Sequence, residues 1–117
     1  MKVIRTVNGD IAPSQLGITL THEHLWCDQR LCRSQGKFPS VANPMVLQDM
    51  SIVVSEVGAF AAAGGRAIAE MTVAGWGRDV GVLRDISRQT GIHVIATSGY
   101  YIEDCHPDFA HDATVDE

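Results

Sequence analysis

Two histidines one residue apart, His22 and His24, close the apolar run Ile18-Thr19-Leu20-Thr21-His22-Glu23-His24-Leu25. In an extended strand the side chains at i and i+2 share a face, so the run predicts two imidazoles side by side with Glu23 turned the other way. Such a pair is half of a metal site. Imidazole suits zinc and its transition-metal neighbours, and a catalytic site uses few protein ligands so that water keeps a coordination position. The pattern is short, and the same residues also read as a polar strand end, with one histidine satisfied by a backbone carbonyl and the other in water. A third reading joins His22, His24, Cys27 and Cys32 into a small structural zinc module. Its spacing is a strand end followed by a loop rather than a tight knuckle.

The rest of the composition narrows the setting. Nine Lys plus Arg against fourteen Asp plus Glu give a net charge of -5, without a basic stripe or a basic patch interleaved with aromatics, so a nucleic-acid partner is not expected. No run reaches the roughly 18 apolar residues that span a bilayer, and Met1 to Thr6 lacks the apolar block of a signal peptide, which predicts a soluble, cytoplasmic protein without a membrane partner. The cysteines, Cys27, Cys32 and Cys105, are three in number and follow no framework spacing. Reduced thiols are the expectation.

The elements that position the histidines follow from periodicity. Val3 to Val7 alternates, Asn8-Gly9 is a turn signal, and Asp10 to Ala12 can return, predicting a small hairpin ahead of the main fold. Ile18 to His24 is the first core strand, and Arg30 to Ser40 reads as a loop. Asn43 as N-cap and Pro44 at the first turn predict a helix whose apolar residues recur from Val46 to Ala61, stopped by Gly64-Gly65. Arg66 to Val73 is a second strand. Glu70 within it reads as facing a polar interior or an arginine rather than as a catalytic group. A Gly-rich loop follows, then a helix capped by Asp79 and ended by Gly91, and a third strand from Ile92 to Ser98 with His93 at the end remote from His22 and His24. Thr114 and Glu117 have the spacing of a capping box for a further helix. Apolar strands alternating with amphipathic helices predict an α/β chain with a parallel sheet, whose chemistry gathers at the C-terminal strand ends. His22 and His24, Gly75 to Arg78, and Ser98 to Tyr101 all fall there.

These residues resemble a known family. Gly17-Ile18-Thr19-Leu20-Thr21-His22-Glu23-His24-Leu25, Ala63-Gly64-Gly65, Gly77-Arg78-Asp79, Ile86-Ser87, Thr90-Gly91 and Ser98-Gly99-Tyr100-Tyr101 follow one another as in the phosphotriesterase family, which includes the phosphotriesterase homology proteins and the phosphotriesterase-like lactonases. The resemblance runs through almost the whole chain from Val3. It implies a metal-dependent hydrolase of the amidohydrolase superfamily with a (β/α)8 TIM barrel and two divalent metals, usually zinc, bridged by a hydroxide that attacks a lactone, carboxyl ester or phosphoester. His22 and His24 would bind the more buried metal. Tyr101 matches a tyrosine near the metal centre and substrate of lactonase-like members, Tyr100 a neighbouring position that varies. Trp76 reads either as a wall of the substrate pocket or as the cover of a loop base. A homodimer is the assembly in view for the complete enzyme.

The departures are equally specific. The family's bridging lysine on the fourth strand, its histidines on the fifth and sixth and its aspartate on the eighth have no counterpart, since Lys2 and Lys37 are the lysines present and neither falls on a core strand. Glu70 stands where the family has Asp, and Ser98 where it has Thr. About 250 residues are typical of such a barrel. The 117 residues therefore read as the N-terminal part of one hydrolase domain, about the first three strand-helix units after a hairpin, with no complete catalytic set and an expected lack of activity. A degenerate, non-catalytic barrel fragment is the competing reading.

Overall fold

The computed structural model describes residues 2–33 and 44–114. The expected hairpin pairs β1 (Ile4–Thr6) with β2 (Gly9–Ile11), antiparallel. Gly9 turns at φ 121°, a backbone conformation that side chains disfavour. Thr6 Oγ1 donates to the Gly9 carbonyl across the turn.

The centre of the fold is a three-stranded parallel sheet in the order β3 (Ile18–Glu23), β6 (Gly65–Glu70), β7 (His93–Ala96). Between β3 and β6 lie β4 (Cys27–Asp28), α1 (Arg30–Arg33), β5 (Val46–Leu47) and α2 (Met50–Ala62); between β6 and β7 lies α3 (Val80–Thr90). Phe109–Asp112 forms a last short helix, α4. Ala67 and Ile68, adjacent on the middle strand, are both buried, as a parallel strand covered on both faces requires. On one face Ile68 and Val94 meet Val53 and Val57 of α2 and Leu83 and Ile86 of α3, with Leu25 and Ile92 completing the cluster. Each of these aliphatic side chains contributes about 1.5–3 kcal/mol by leaving water. β3 is one edge of this sheet and β7 the other, and Ile18 on β3 is 64% exposed.

Several expectations change here. The helix predicted to open at Asn43 and Pro44 begins at Met50, because Asp49 caps it: its carboxylate accepts from the backbone N–H groups of Ser51 and Ile52. Pro44 lies in the preceding segment, and Asn43 lies outside the described residues. Val46 and Leu47, whose spacing fitted the helix face, instead pair antiparallel with Cys27 and Asp28, a two-residue register with no periodic signature. The start of the segment read as a loop from Arg30 is the single-turn α1. Asp79 and Gly91 bound α3 as predicted, Gly91 at φ 73°. Of the capping box at Thr114 and Glu117, Glu117 lies outside the described residues.

The cysteines depart most clearly from the reading. Cys32 on α1 and Cys105 in the 3-10 turn Glu103–Cys105 form a disulfide across 73 residues of sequence, with Cα atoms 4.9 Å apart. Only a fold that lays α1 against that turn can bring them together. Cys27 is a buried free thiol, and burial pushes its pKa up.

Asp28 accepts from Arg30 Nε at 2.8 Å and Nη2 at 2.7 Å, and these bonds hold its carboxyl below the usual aspartate range. A carboxyl shifted down in the folded state contributes stability above its unfolded pKa of about 3.9 and loses it as pH falls through the folded value. Urea unfolding of wild type and Arg30→Gln should therefore show a more stable wild type at neutral pH and a difference that shrinks on acidification. Asp49→Ala should lower the urea midpoint with an unchanged slope, and Asp49→Asn should lower it much less.

Candidate active site

The C-terminal ends of β3, β6 and β7 are knitted together beyond the strands themselves. Met71 N donates to Glu23 O at 2.8 Å, Thr97 N to Glu70 O at 3.0 Å, and Arg78 Nη1 to Thr97 O at 2.6 Å. Three segments far apart in sequence thereby open onto one cavity of about 290 Å³, walled by His22, His24, Met71, Val73, Trp76, Thr97, Ser98, Tyr100 and Tyr101.

His22 is the penultimate residue of β3 and His24 the first past it. Their ring centroids are 5.7 Å apart with planes at 68°, so the i, i+2 spacing does bring them to one side. His22 is exposed and His24 half-buried. Burial pulls the His24 pKa down, with His22 adding to the fall and the Glu70 and Glu23 charges opposing it, so His24 favours the neutral imidazole that metals bind. His24 Nδ1 lies 3.0 Å from Thr72 Oγ1. The ring nitrogen left to face a ligand is Nε2.

Behind His24 is a wholly buried carboxylate. Glu70, 0% exposed, accepts from Leu25 N at 3.1 Å, from Thr72 N at 3.1 Å and from Thr72 Oγ1. Among the described residues it reaches neither an arginine nor the cavity wall, so the expectation that it serves the architecture holds while the partner differs. The signal was a lone carboxylate in an apolar strand. Its partners, backbone N–H groups and a hydroxyl, leave no trace in a sequence pattern.

Trp76 sits between two of the other candidates, its ring 5.5 Å from His24 and 5.1 Å from Tyr101, and its Nε1 is buried with no protein acceptor among the described residues. Tyr100 turns toward His106 at 5.2 Å and Phe109 at 6.3 Å while still reaching the cavity. Asp79 caps α3 and Arg78 braces the rim; neither lines the cavity. His93 pairs in register with Ala67 at the far end of the sheet.

As a metal site the donor set is incomplete. The two imidazoles are adjacent and one is oriented by a hydrogen bond, which fits two ligands of a divalent cation. No cluster of three or more His, Cys, Asp or Glu side chains suited to a metal occurs among the described residues. The zinc module with Cys27 and Cys32 is not formed, because Cys32 is bonded to Cys105.

A family model described as "Phosphotriesterase family" matches residues 2–116, and the chain belongs to that family. It is 36% identical to N-acetyltaurine hydrolase of Mus musculus over 126 aligned positions, covering 88% of this chain and 36% of that protein. Among solved structures it resembles a resiniferatoxin-binding protein from Rhodobacter sphaeroides, with TM-score 0.79, 33% identity, and coverage of 95% of this chain and 37% of that one. A lactonase from Listeria monocytogenes gives TM-score 0.77 and 35% identity over 89% of this chain and 30% of that one. The chain thus spans little more than a third of the length of its curated relatives.

The Trp76 loop also depends on the disulfide segment. A Cβ on Gly75 would come within 1.8 Å of the Cys105 carbonyl oxygen, a backbone atom with no freedom to swing aside. Gly75→Ala should therefore displace the loop, lower stability by about 1–3 kcal/mol and shift Trp76 fluorescence, read in a Trp26→Phe background so that only one indole emits. An unchanged emission spectrum would contradict the packing.

Proposed function

We propose that this chain is the N-terminal part of a single (β/α)8 hydrolase domain, its β3, β6 and β7 the first three barrel strands, and that His22 and His24 are metal ligands of the complete enzyme. The observation that carries the reading is the convergence of both imidazoles on a cavity at the C-terminal ends of three parallel strands, where such barrels build their sites. The edge position of β3 and the exposure of Ile18 fit a sheet that continues in the closed barrel.

His22 and His24 would hold a divalent cation, zinc by the chemistry of the donors, which would supply Lewis acidity and a lowered pKa for bound water. The residues of this chain do the rest of the work assigned to them. The neutral His24 offers Nε2 as a donor, with His22 beside it. Met71 and Val73 give the cavity an apolar floor that limits water, and Trp76, Tyr100 and Tyr101 pack against the non-reacting part of a small organic substrate. A lactone or carboxyl ester is the preferred substrate class, on Tyr101 and on the lactonase relative. An N-acyl amide is the second reading, favoured by the N-acetyltaurine hydrolases that match up to 97% of the chain.

With two ligands in place, the 117-residue chain should not hydrolyse any of these substrates by itself. Purified chain with zinc, tested on a lactone, an aryl ester, a phosphotriester and an N-acyl amide, should give rates equal to zinc in buffer. Supplying the remaining strand-helix units of the Listeria lactonase as a second polypeptide should restore activity that His22→Asn or His24→Asn abolishes. Robust hydrolysis by the chain alone, or restored activity indifferent to both substitutions, would overturn the proposal.

A further inference from the structure

The hydrogen bonds behind His24 form a chain with a direction. Thr72 Oγ1 contacts both Glu70 Oε1 and His24 Nδ1, and a hydroxyl has one proton to give. Glu70 also accepts from two backbone N–H groups, Leu25 N on Oε1 and Thr72 N on Oε2, so its carboxylate is held at both oxygens. With each oxygen taking a backbone N–H, Glu70 acts as the acceptor in its contacts. If the Thr72 hydroxyl pointed its proton at His24 instead, Oγ1 and Oε1 would face each other as two acceptors at close range with no proton between them. The proton therefore belongs to the Thr72–Glu70 contact, and Thr72 Oγ1 must accept from His24.

We infer that Glu70 and Thr72 are positioning residues that fix His24 as the Nδ1–H tautomer, leaving the Nε2 lone pair for a ligand in the cavity. Neither residue lines the cavity. Their effect passes through the imidazole, as second partners of metal-bound histidines do when they set tautomer, ring orientation and basicity. The same carboxylate anchors the backbone at Leu25, so ring and main chain of the His24 segment are fixed from one buried point. What the lone pair is for rests on the metal reading above; the tautomer itself does not.

The test is nitrogen NMR of the metal-free chain labelled at histidine, at alkaline pH where the imidazoles are neutral. Wild type should show His24 with a pyrrole-type Nδ1 and a pyridine-type Nε2. Thr72→Val should release that preference while the amide spectrum stays folded, and Thr72→Ser, which keeps the hydroxyl, should preserve it. Zinc affinity, measured by competition with a chromophoric chelator, should fall about 10- to 100-fold in Thr72→Val and stay near wild type in Thr72→Ser. A proton on Nε2 in wild type overturns the inference without recourse to any variant. So does an Nδ1–H tautomer that survives in Thr72→Val or, should valine disturb the fold, in Thr72→Ala. An Nδ1–H tautomer that responds to Thr72 as expected leaves the relay standing whether or not the chain binds zinc, so the tautomer and the metal reading fail separately.

Discussion

A carboxylate with no exposed surface is the constraint on which the rest of this rim depends. Burying the Glu70 charge would be costly by itself, and it is tolerated because three donors meet it: the amide of Leu25, the amide of Thr72 and the Thr72 hydroxyl. Two of those donors belong to the turn leaving β6 and one to the turn leaving β3. Glu70 thus extends into the two turns the link that the sheet already makes between the strand ends at Glu23 and Glu70. Apolar replacement of the side chain would leave two backbone N–H groups buried and unpaired, so the site and the local fold share one fastening.

From that point outward the arrangement is hierarchical. The core of Ile68, Val94, Leu83 and Ile86 sets the sheet against its helices and makes a rigid floor. The bonds from Met71 to Glu23, Thr97 to Glu70 and Arg78 to Thr97 then align the three strand ends. On that platform the histidines meet, and Trp76 bridges His24 to Tyr101. The disulfide between Cys32 and Cys105 joins the segment after β4 to the segment after β7, outside the parallel sheet but beneath the Trp76 loop. Membership of the phosphotriesterase family accounts for the order of these motifs; the hydrogen bonds explain why Glu70 and Thr72 belong with His22 and His24.

The elements with a strong local signal were legible in the sequence. Asn8-Gly9, Asp79 and Gly91 fixed their turn and helix ends because each acts on its immediate backbone, and the His22 and His24 spacing translated directly into a shared side of β3. Partnerships across long separations were not legible. The Cys32 and Cys105 pair and the β4 with β5 pairing depend on where the chain returns, which periodicity does not encode. Asn43-Pro44 misled because a good capping pair competes with Asp49, and Asp49 won by accepting two backbone N–H groups at the helix that packs on the core. Glu70 was recognisable as an anomaly, yet its partners were not, since backbone amides are present at every residue.

The central claim is that the fold holds His22 and His24 as a ligand pair. It is tested most directly by titrating zinc into the chain, labelled with ¹⁵N at histidine, and following all the imidazoles at once. The account predicts that zinc perturbs a ring nitrogen of His22 and the Nε2 of His24 together and saturably, while His93, His106 and His111 keep their resonances. Zinc that settles on His106 and His111, whose rings lie 5.8 Å apart, or that leaves both rim histidines unchanged, would contradict it.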